Sequence, residues 1–173
     1  MKNSNQKTDF TFVIPNTRWH KGGEGRYWNH IPYPEGILTA VLRKNGFTVN
    51  HIDANTNNFT EDELLQVLKE KVGNIVGISA LSVEYKDAVH RTFAIIKKAN
   101  PKVKTIIGGV YPSISPDVAK EDENIDYVIV SEGEERLVKL MNAIKDKTDF
   151  RHIDGLHYRD ENNIWHFNPR KAI

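Results

Sequence analysis

Cysteine is absent from this chain of 173 residues. Without thiolates the chain cannot form a disulfide, a cysteine zinc site or a cysteine-ligated iron–sulfur cluster. Long apolar runs are missing too, because no stretch approaches the roughly 18 residues of a membrane span. The polar residues at the start of the chain also lack the apolar core of a signal peptide. We therefore expect a cytoplasmic protein with no membrane partner.

An excess of charge of either sign is also lacking. The chain has 24 lysines and arginines against 23 aspartates and glutamates, which gives a formal net charge of +1. A balanced surface offers no general electrostatic attraction to a polyanion. The composition therefore gives no reason to expect nucleic acid as a partner.

Motifs for nucleotide hydrolysis and acyl transfer are missing as well. Residues 22–25 supply glycines but lack the Gly-Lys-Ser/Thr ending of a phosphate-binding loop. No G-x-S-x-G nucleophile motif occurs. A phospho-acceptor site needs acidic residues where the sequence has Pro15, Asn16 and Ser79. What remains is a site that binds a ligand without an acid or base of its own.

Five β–α units dominate what the sequence does contain. Apolar runs at 10–14, 47–52, 75–79, 104–108 and 126–130 alternate with helical patterns. This alternation predicts an α/β domain with a five-stranded parallel sheet, right-handed crossovers and helices on both faces. The most economical strand order is 2-1-3-4-5, as in Rossmann-like and flavodoxin-like folds.

Local signals place the helices between these strands. Pro34 suits the start of the first helix and Gly46 its end. Thr60 and Glu63 form a capping box for the second helix. A third helix is predicted over 84–100, and Ser115 with Pro116 predicts a short fourth helix.

Residues 148–173 break the β–α pattern. Two short strand-like stretches, 155–159 and 164–167, flank an Asn-rich turn and predict a β-hairpin. We therefore predict a ligand-binding domain over residues 9–147, followed by a C-terminal hairpin and a linker over 148–173.

The carboxyl ends of the predicted strands carry small or hydroxylated residues. Ligands of open α/β sheets bind outside these ends, where the sequence places residues 79–82, 108–109 and 131–135. Glycine allows close approach of a ligand, and serine hydroxyls can bond its polar atoms. The long segment 15–34, rich in tryptophan and tyrosine, is predicted to cover the cleft. Such a cleft suits a bulky, largely neutral cofactor.

Four motifs occur in order along the chain: Pro34-x-Gly-Ile-Leu-x-Ala-Val-Leu-Arg-x-x-Gly46, Val76-Gly-Ile-Ser79, Ile106-Ile-Gly-Gly-Val-Tyr-Pro112 and Asp126-Tyr-Val-x-x-x-Glu-Gly-Glu-Glu135. Together they resemble the N-terminal cobalamin (vitamin B12)-binding domain of B12-dependent radical SAM enzymes. The resemblance implies a Rossmann-like domain that holds the corrin over the strand ends, with the nucleotide tail between the sheet and the helices.

The resemblance also implies which residues contact cobalamin, as methylcobalamin or hydroxocobalamin. By position these are Ser79, Leu81, Ser82, Gly108, Gly109, Val110, Tyr111, Glu132, Gly133 and Glu134.

The sequence allows two interpretations of what faces the lower side of the corrin. Other B12 domains carry D-x-H-x-x-G, whose histidine ligates cobalt from below. Here Arg18-Trp19-His20 keeps the histidine and replaces the aspartate with arginine. Either His20 is the lower cobalt ligand, or no histidine ligates the metal and Trp19, Arg18 or Tyr27 faces the corrin.

Radical SAM chemistry also needs S-adenosylmethionine and a [4Fe-4S] cluster held by a C-x-x-x-C-x-x-C motif. This chain has no cysteine, so it cannot perform that reaction alone. The expected function is that of the cobalamin domain of a methyltransferase or cyclase, with the radical SAM domain in cis. Two alternatives are a degenerate B12-like module for docking or substrate recognition that binds no corrin, and a flavodoxin-like flavin or nucleotide binder.

Overall fold

The computed structural model describes residues 8–19 and 32–170. The predicted residues His20 and Tyr27 lie outside this range. The strands are β1 (Phe10–Ile14), β2 (Val49–Asp53), β3 (Ile75–Ser79), β4 (Lys104–Gly108), β5 (Tyr127–Ile129), β6 (Leu156–Arg159) and β7 (Trp165–Phe167). The helices are α1 (Tyr33–Lys44), α2 (Glu61–Lys71), α3 (Lys86–Ala99), α4 (Val110–Ile114), α5 (Pro116–Lys120) and α6 (Glu134–Asp146). Within this described range, every helix is too short or too polar to cross a membrane.

All seven strands belong to one sheet in the order β2-β1-β3-β4-β5-β6-β7. Strands β1 to β5 pair in parallel, which confirms the predicted order 2-1-3-4-5 of an α/β domain. From β1 the chain crosses to β2 on one side, and from β3 it crosses to β4 on the other side. The loops after β1 and β3 therefore diverge and open a crevice at the carboxyl ends of these strands.

The C-terminal hairpin extends this sheet instead of forming a separate unit. Strand β6 pairs antiparallel with β5, and β7 pairs antiparallel with β6. The indole N–H of Trp165 donates to the carbonyl oxygen of Lys120 at 3.1 Å, and the Arg159 guanidinium lies 4.8 Å from the Trp165 ring centre. The hairpin thereby covers the edge of β5.

Side chains alternate between the two faces of the sheet, and helices cover both faces. On one face Val76 packs in a core with Phe93 of α3. On the other face Phe12 packs with Leu42 of α1 and Leu140 of α6. The face toward α1 and α6 also carries the site described below.

Most local helix signals are confirmed, but Ser115 precedes α5 without a capping hydrogen bond from its side chain. The Thr60 hydroxyl accepts a hydrogen bond from the Glu63 N–H, and the Glu63 carboxylate accepts one from the Thr60 N–H, which confirms the capping box. The third helix is preceded by a 3-10 turn, Val83–Tyr85, capped by Ser82. The sequence did not predict α4, because five residues that include a proline give no helical periodicity.

Candidate functional site

The site begins with small residues at the ends of β3 and β4. Gly77 and Ser79 point to the face that carries α1 and α6, and Ser79 lies opposite Gly108 in the parallel register. The neighbouring strands place large side chains on this face, including Phe12 and Ile129. Because the neighbouring positions Ser79 and Gly108 are both small, the sheet surface is recessed at the ends of β3 and β4.

The recess forms a cavity of about 500 Å³ between the sheet, α1 and α6. We call it the slot. Its floor consists of Phe10, Phe12, Gly77, Ile106 and Leu137. Its mouth, at the strand ends, carries Ser79, Ser113, Ser131, Glu132 and Glu134. The exposed apolar side chains of Leu81, Val110 and Ile114 also line the slot. The slot is therefore apolar inside, and its opening mixes polar and apolar groups.

The two adjacent glycines at the end of β4, Gly108 and Gly109, have different roles. Gly109 has φ +99°, and a Cβ there would lie 2.7 Å from the Ala80 carbonyl oxygen. At Gly108 the nearest atoms to an added Cβ belong to Ile129, at 3.9 Å. Gly109 is thus required by the backbone, whereas Gly108 leaves room on the slot side.

Helix α4 ties the ends of three strands together. The Tyr111 N–H donates to the Ala80 carbonyl at 2.9 Å. The Ser113 hydroxyl donates to the Gly109 carbonyl at 2.7 Å and accepts from the Ser131 N–H at 2.8 Å. Ser131 has φ +73°, a strained conformation for a non-glycine residue. These bonds fix the mouth of the slot.

Tyr111 belongs to α4, and its side chain is fully buried in the core. Its hydroxyl is 2.8 Å from His90 Nε2, and His90 Nδ1 is 2.7 Å from Asp122 Oδ2. Burial raises the pKa of Asp122, but hydrogen bonds from His90 and Asn124 outweigh it, so the net shift is downward. A carboxylate only accepts, so Nδ1 carries a hydrogen and Nε2 can accept from the phenol.

The two buried tyrosines predict a loss of stability at high pH. Burial, reinforced by nearby carboxylates, raises the pKa of Tyr111 and of Tyr127 to about 12, above the value of about 10 in an unfolded chain. The folded state therefore binds these protons more tightly, and stability falls as pH rises from about 10 through about 12. Urea unfolding across this range should show a steeper decline for the unaltered chain than for Tyr127→Phe. Parallel declines would contradict the prediction.

Trp19 packs against α3 and away from the slot. Arg91 donates to the Trp19 carbonyl oxygen at 3.1 Å, and its guanidinium lies 5.8 Å from the Trp19 ring centre. Arg18 donates to the Asn55 carbonyl oxygen at 2.9 Å. These contacts anchor the start of the loop after β1 to α3 and to the turn after β2.

A second cavity, of about 340 Å³, lies at the ends of β1 and β3. Ser82 and the buried Glu35 of α1 line it, while Ser79 and Leu81 line both this cavity and the slot. The Ser82 hydroxyl also accepts a hydrogen bond from the Glu84 N–H at 3.1 Å. Residues 79–82 thus lie between the slot and the second cavity at the switch point.

The start of α6 completes the mouth. Gly133 is the N-cap residue, and no side chain caps the first turn of α6, which leaves backbone N–H groups at this end of the helix without an intrahelical acceptor. Arg136 donates to the Glu132 carbonyl oxygen at 2.7 Å and to Asp154 Oδ2 at 2.6 Å. This bridge holds the loop after β5 against the segment that leads into the hairpin.

The structure brings together most of the residues that the sequence singled out. Eight line the slot: Ser79, Leu81, Gly108, Gly109, Val110, Glu132, Gly133 and Glu134. Ser82 lines the second cavity. Trp19 and Tyr111 are absent from the described lining of both cavities and instead contact Arg91 and His90 of α3, so the cofactor contacts implied for them stay predictions.

Several slot residues were not identified from the sequence. In the sequence Phe10 and Phe12 look like ordinary strand residues, and Ser113 looks like an ordinary loop residue. Gly77 had a usable signal, because a glycine inside a buried strand marks a close approach of another group. Here the Phe10 ring packs where a Gly77 side chain would lie.

This architecture defines a doubly wound α/β domain with a cofactor-sized slot at its switch-point edge. Residues 30–141 match the sequence model of the B12 binding domain. The chain therefore belongs to the B12-binding domain family, and the resemblance found in the sequence is confirmed.

Two curated relatives are enzymes of greater length. The chain is 33% identical over 135 residues to the anaerobic magnesium-protoporphyrin IX monomethyl ester cyclase of Rubrivivax gelatinosus, covering 77% of this chain and 24% of the cyclase. It is 25% identical over 160 residues to the cytidylyl-2-hydroxyethylphosphonate methyltransferase of Streptomyces wedmorensis, covering 82% of this chain and 30% of that enzyme. The chain thus spans less than a third of either relative.

Two solved structures share the fold. The radical S-adenosylmethionine methyltransferase TsrM from Kitasatospora setae, with cobalamin and a [4Fe-4S] cluster bound, gives a TM-score of 0.77 at 19% identity, over 96% of this chain and 30% of that chain. The cobalamin-dependent S-adenosylmethionine radical enzyme OxsB, with aqua-cobalamin bound, gives 0.75 at 21% identity, over 97% and 23%.

Proposed function

We propose that this chain serves as the cobalamin-binding domain of a B12-dependent radical SAM enzyme of the methyltransferase or cyclase type. The observation that carries the proposal is the slot, in a chain that belongs to the B12-binding domain family. The radical SAM domain would follow in cis and would supply the cysteine-ligated cluster and S-adenosylmethionine. We place the enzyme in the cytoplasm.

The residues present fit cobalamin by their chemistry. The benzimidazole base is the flat, apolar part of this cofactor, and the slot floor is aromatic and aliphatic. The corrin is rimmed by amide side chains, which suit the Ser79 and Ser131 hydroxyls and the N–H groups at the start of α6. The bound cofactor brings its own cobalt, whose chemistry is the transfer of a methyl group or an electron.

The chain's own contribution is to hold and orient the cofactor. Gly108 allows close approach of the cofactor beside β4, and α4 fixes the wall next to it through Ser113. Either His20 ligates cobalt from below, or no histidine does and Trp19, Arg18 or Tyr27 faces the lower side of the corrin; both alternatives stay predictions.

Cofactor uptake tests the proposal directly. The purified chain mixed with hydroxocobalamin should elute from gel filtration with a protein-bound corrin spectrum, because the slot and the hydroxyl groups at its mouth retain the cofactor. The matched control is a chain with leucine substituted at Gly108, which should elute colourless. A folded, colourless unaltered chain would contradict the proposal and favour a docking or substrate-recognition module. Uptake of flavin instead would favour a flavodoxin-like function.

A further inference from the structure

The floor of the slot differs from its mouth in offering no hydrogen-bonding side chain. Its floor layer is formed by Phe10, Phe12, Ile106 and Leu137 around Gly77, and these described residues carry no hydrogen-bonding side-chain atom. The rings of Phe10 and Phe12 lie 4.6 Å apart, centre to centre. The floor therefore offers an aromatic and aliphatic surface.

The backbone of the floor offers little to a ligand either. Gly77 pairs with Phe12 on β1 and with Ile106 on β4 in the parallel ladders, and Ile106 pairs with Tyr127 on β5. Peptide groups in the middle of a sheet use their N–H and C=O for neighbouring strands. A polar group that reaches this depth loses water without gaining a partner among the described residues.

The hydroxyl groups of the slot lie one layer higher. Ser79 is two residues beyond Gly77 along β3 and lies opposite Gly108. The Ser113 hydroxyl already donates to Gly109 and accepts from Ser131. Hydrogen bonding is therefore available at the mouth, where the sugar, phosphate and amide groups of a cobamide are polar, and not at the floor.

Building on the proposed function, we propose that this domain discriminates between cobamides by their lower base, selecting benzimidazoles over purines. Dimethylbenzimidazole presents two methyl groups and a hydrocarbon edge, which match the floor. Adenine presents ring nitrogens and an exocyclic amine, each of which would be desolvated there without a hydrogen bond. We expect adeninylcobamide to bind about 10- to 100-fold more weakly than cobalamin.

Ile106 is the residue through which this selectivity can be altered. Its side chain is 3% exposed and lies opposite Gly77 on the floor. Ile106→Thr places one hydroxyl at this depth, while Ile106→Val removes volume without adding polarity and serves as the matched control. Both substitutes are β-branched and suit a strand. The threonine variant should lower the ratio of cobalamin affinity to adeninylcobamide affinity at least about threefold. The valine variant should leave this ratio unchanged.

The experiment is a set of titrations of the chain with aquocobalamin, aquo-adeninylcobamide and diaquocobinamide, which lacks the base, followed by absorbance. Tighter binding of cobalamin than of both other corrinoids, with the Ile106→Thr shift, supports the inference. Equal affinity for the two cobamides overturns it and leaves the proposed function standing. Equal affinity for cobinamide and cobalamin also overturns it, because the base then contributes nothing. Failure of all three to bind a folded chain contradicts the proposed function itself.

Discussion

Gly108→Leu should abolish cobalamin binding and leave the fold intact. Position 108 is on the slot side of β4, and an added Cβ meets only Ile129 at ordinary contact distance, 3.9 Å. The leucine side chain would therefore extend into the slot, which is the space available for the base. We expect affinity for hydroxocobalamin to fall at least about 100-fold, equivalent to about 2.7 kcal/mol.

Two measurements separate blocking of the slot from unfolding. Urea unfolding of the Gly108→Leu chain should give a free energy within about 1 kcal/mol of the unaltered value, because no backbone strain or core contact is involved. Gly108→Ala, which adds one methyl group, should reduce affinity much less. Full cobalamin binding by the leucine variant would show that the cofactor does not occupy the slot.

Gly109→Ala should differ from Gly108→Leu, because we expect it to cause a large loss of stability. The residue has φ +99° and ψ −167°, a region of backbone conformation that is essentially restricted to glycine. The added methyl group would also lie 2.7 Å from the Ala80 carbonyl oxygen, on a backbone that cannot move aside. We expect the free energy of unfolding to fall by about 3 kcal/mol.

Gly108→Ala is the matched control for this second substitution as well, because it makes the same chemical change one residue earlier. Chemical denaturation should distinguish the two alanine variants clearly, with only the position 109 variant showing a lower midpoint. If both variants unfold at the same urea concentration, the tight approach between α4 and the β3 loop has been misassigned.

Local and periodic features of the fold followed from the sequence. The strand runs, the order 2-1-3-4-5 and the capping box at Thr60 rest on hydrophobic pattern and on contacts between residues close in the chain. The pairing of the hairpin with β5 was not predictable in this way. It depends on Trp165 and Arg159 meeting the α5 end of the domain, contacts that link residues about 40 positions apart.

The candidate site likewise has features that the sequence predicted and features that it did not. The motifs at 76–79, 106–112 and 126–135 indicated the correct edge of the sheet, since parallel strands end together. They did not separate Gly108 from Gly109, because two adjacent glycines look alike until the neighbouring strand is known. Nor did they show that Tyr111 turns away to bond His90, because the direction of a side chain is set by the packing of α4.

The sequence alone thus determined the fold class, the family and the edge of the sheet at which the slot opens. Hydrophobic periodicity and strand-end motifs are local properties of the chain, and they are sufficient for these conclusions. Only the tertiary structure decided that the floor of the slot is apolar and that its hydrogen-bonding groups lie at the mouth. That layering arises from Phe10, Gly77, Ile106 and Leu137 on four separate elements, which come together only when β1, β3 and β4 pair and α6 packs over them.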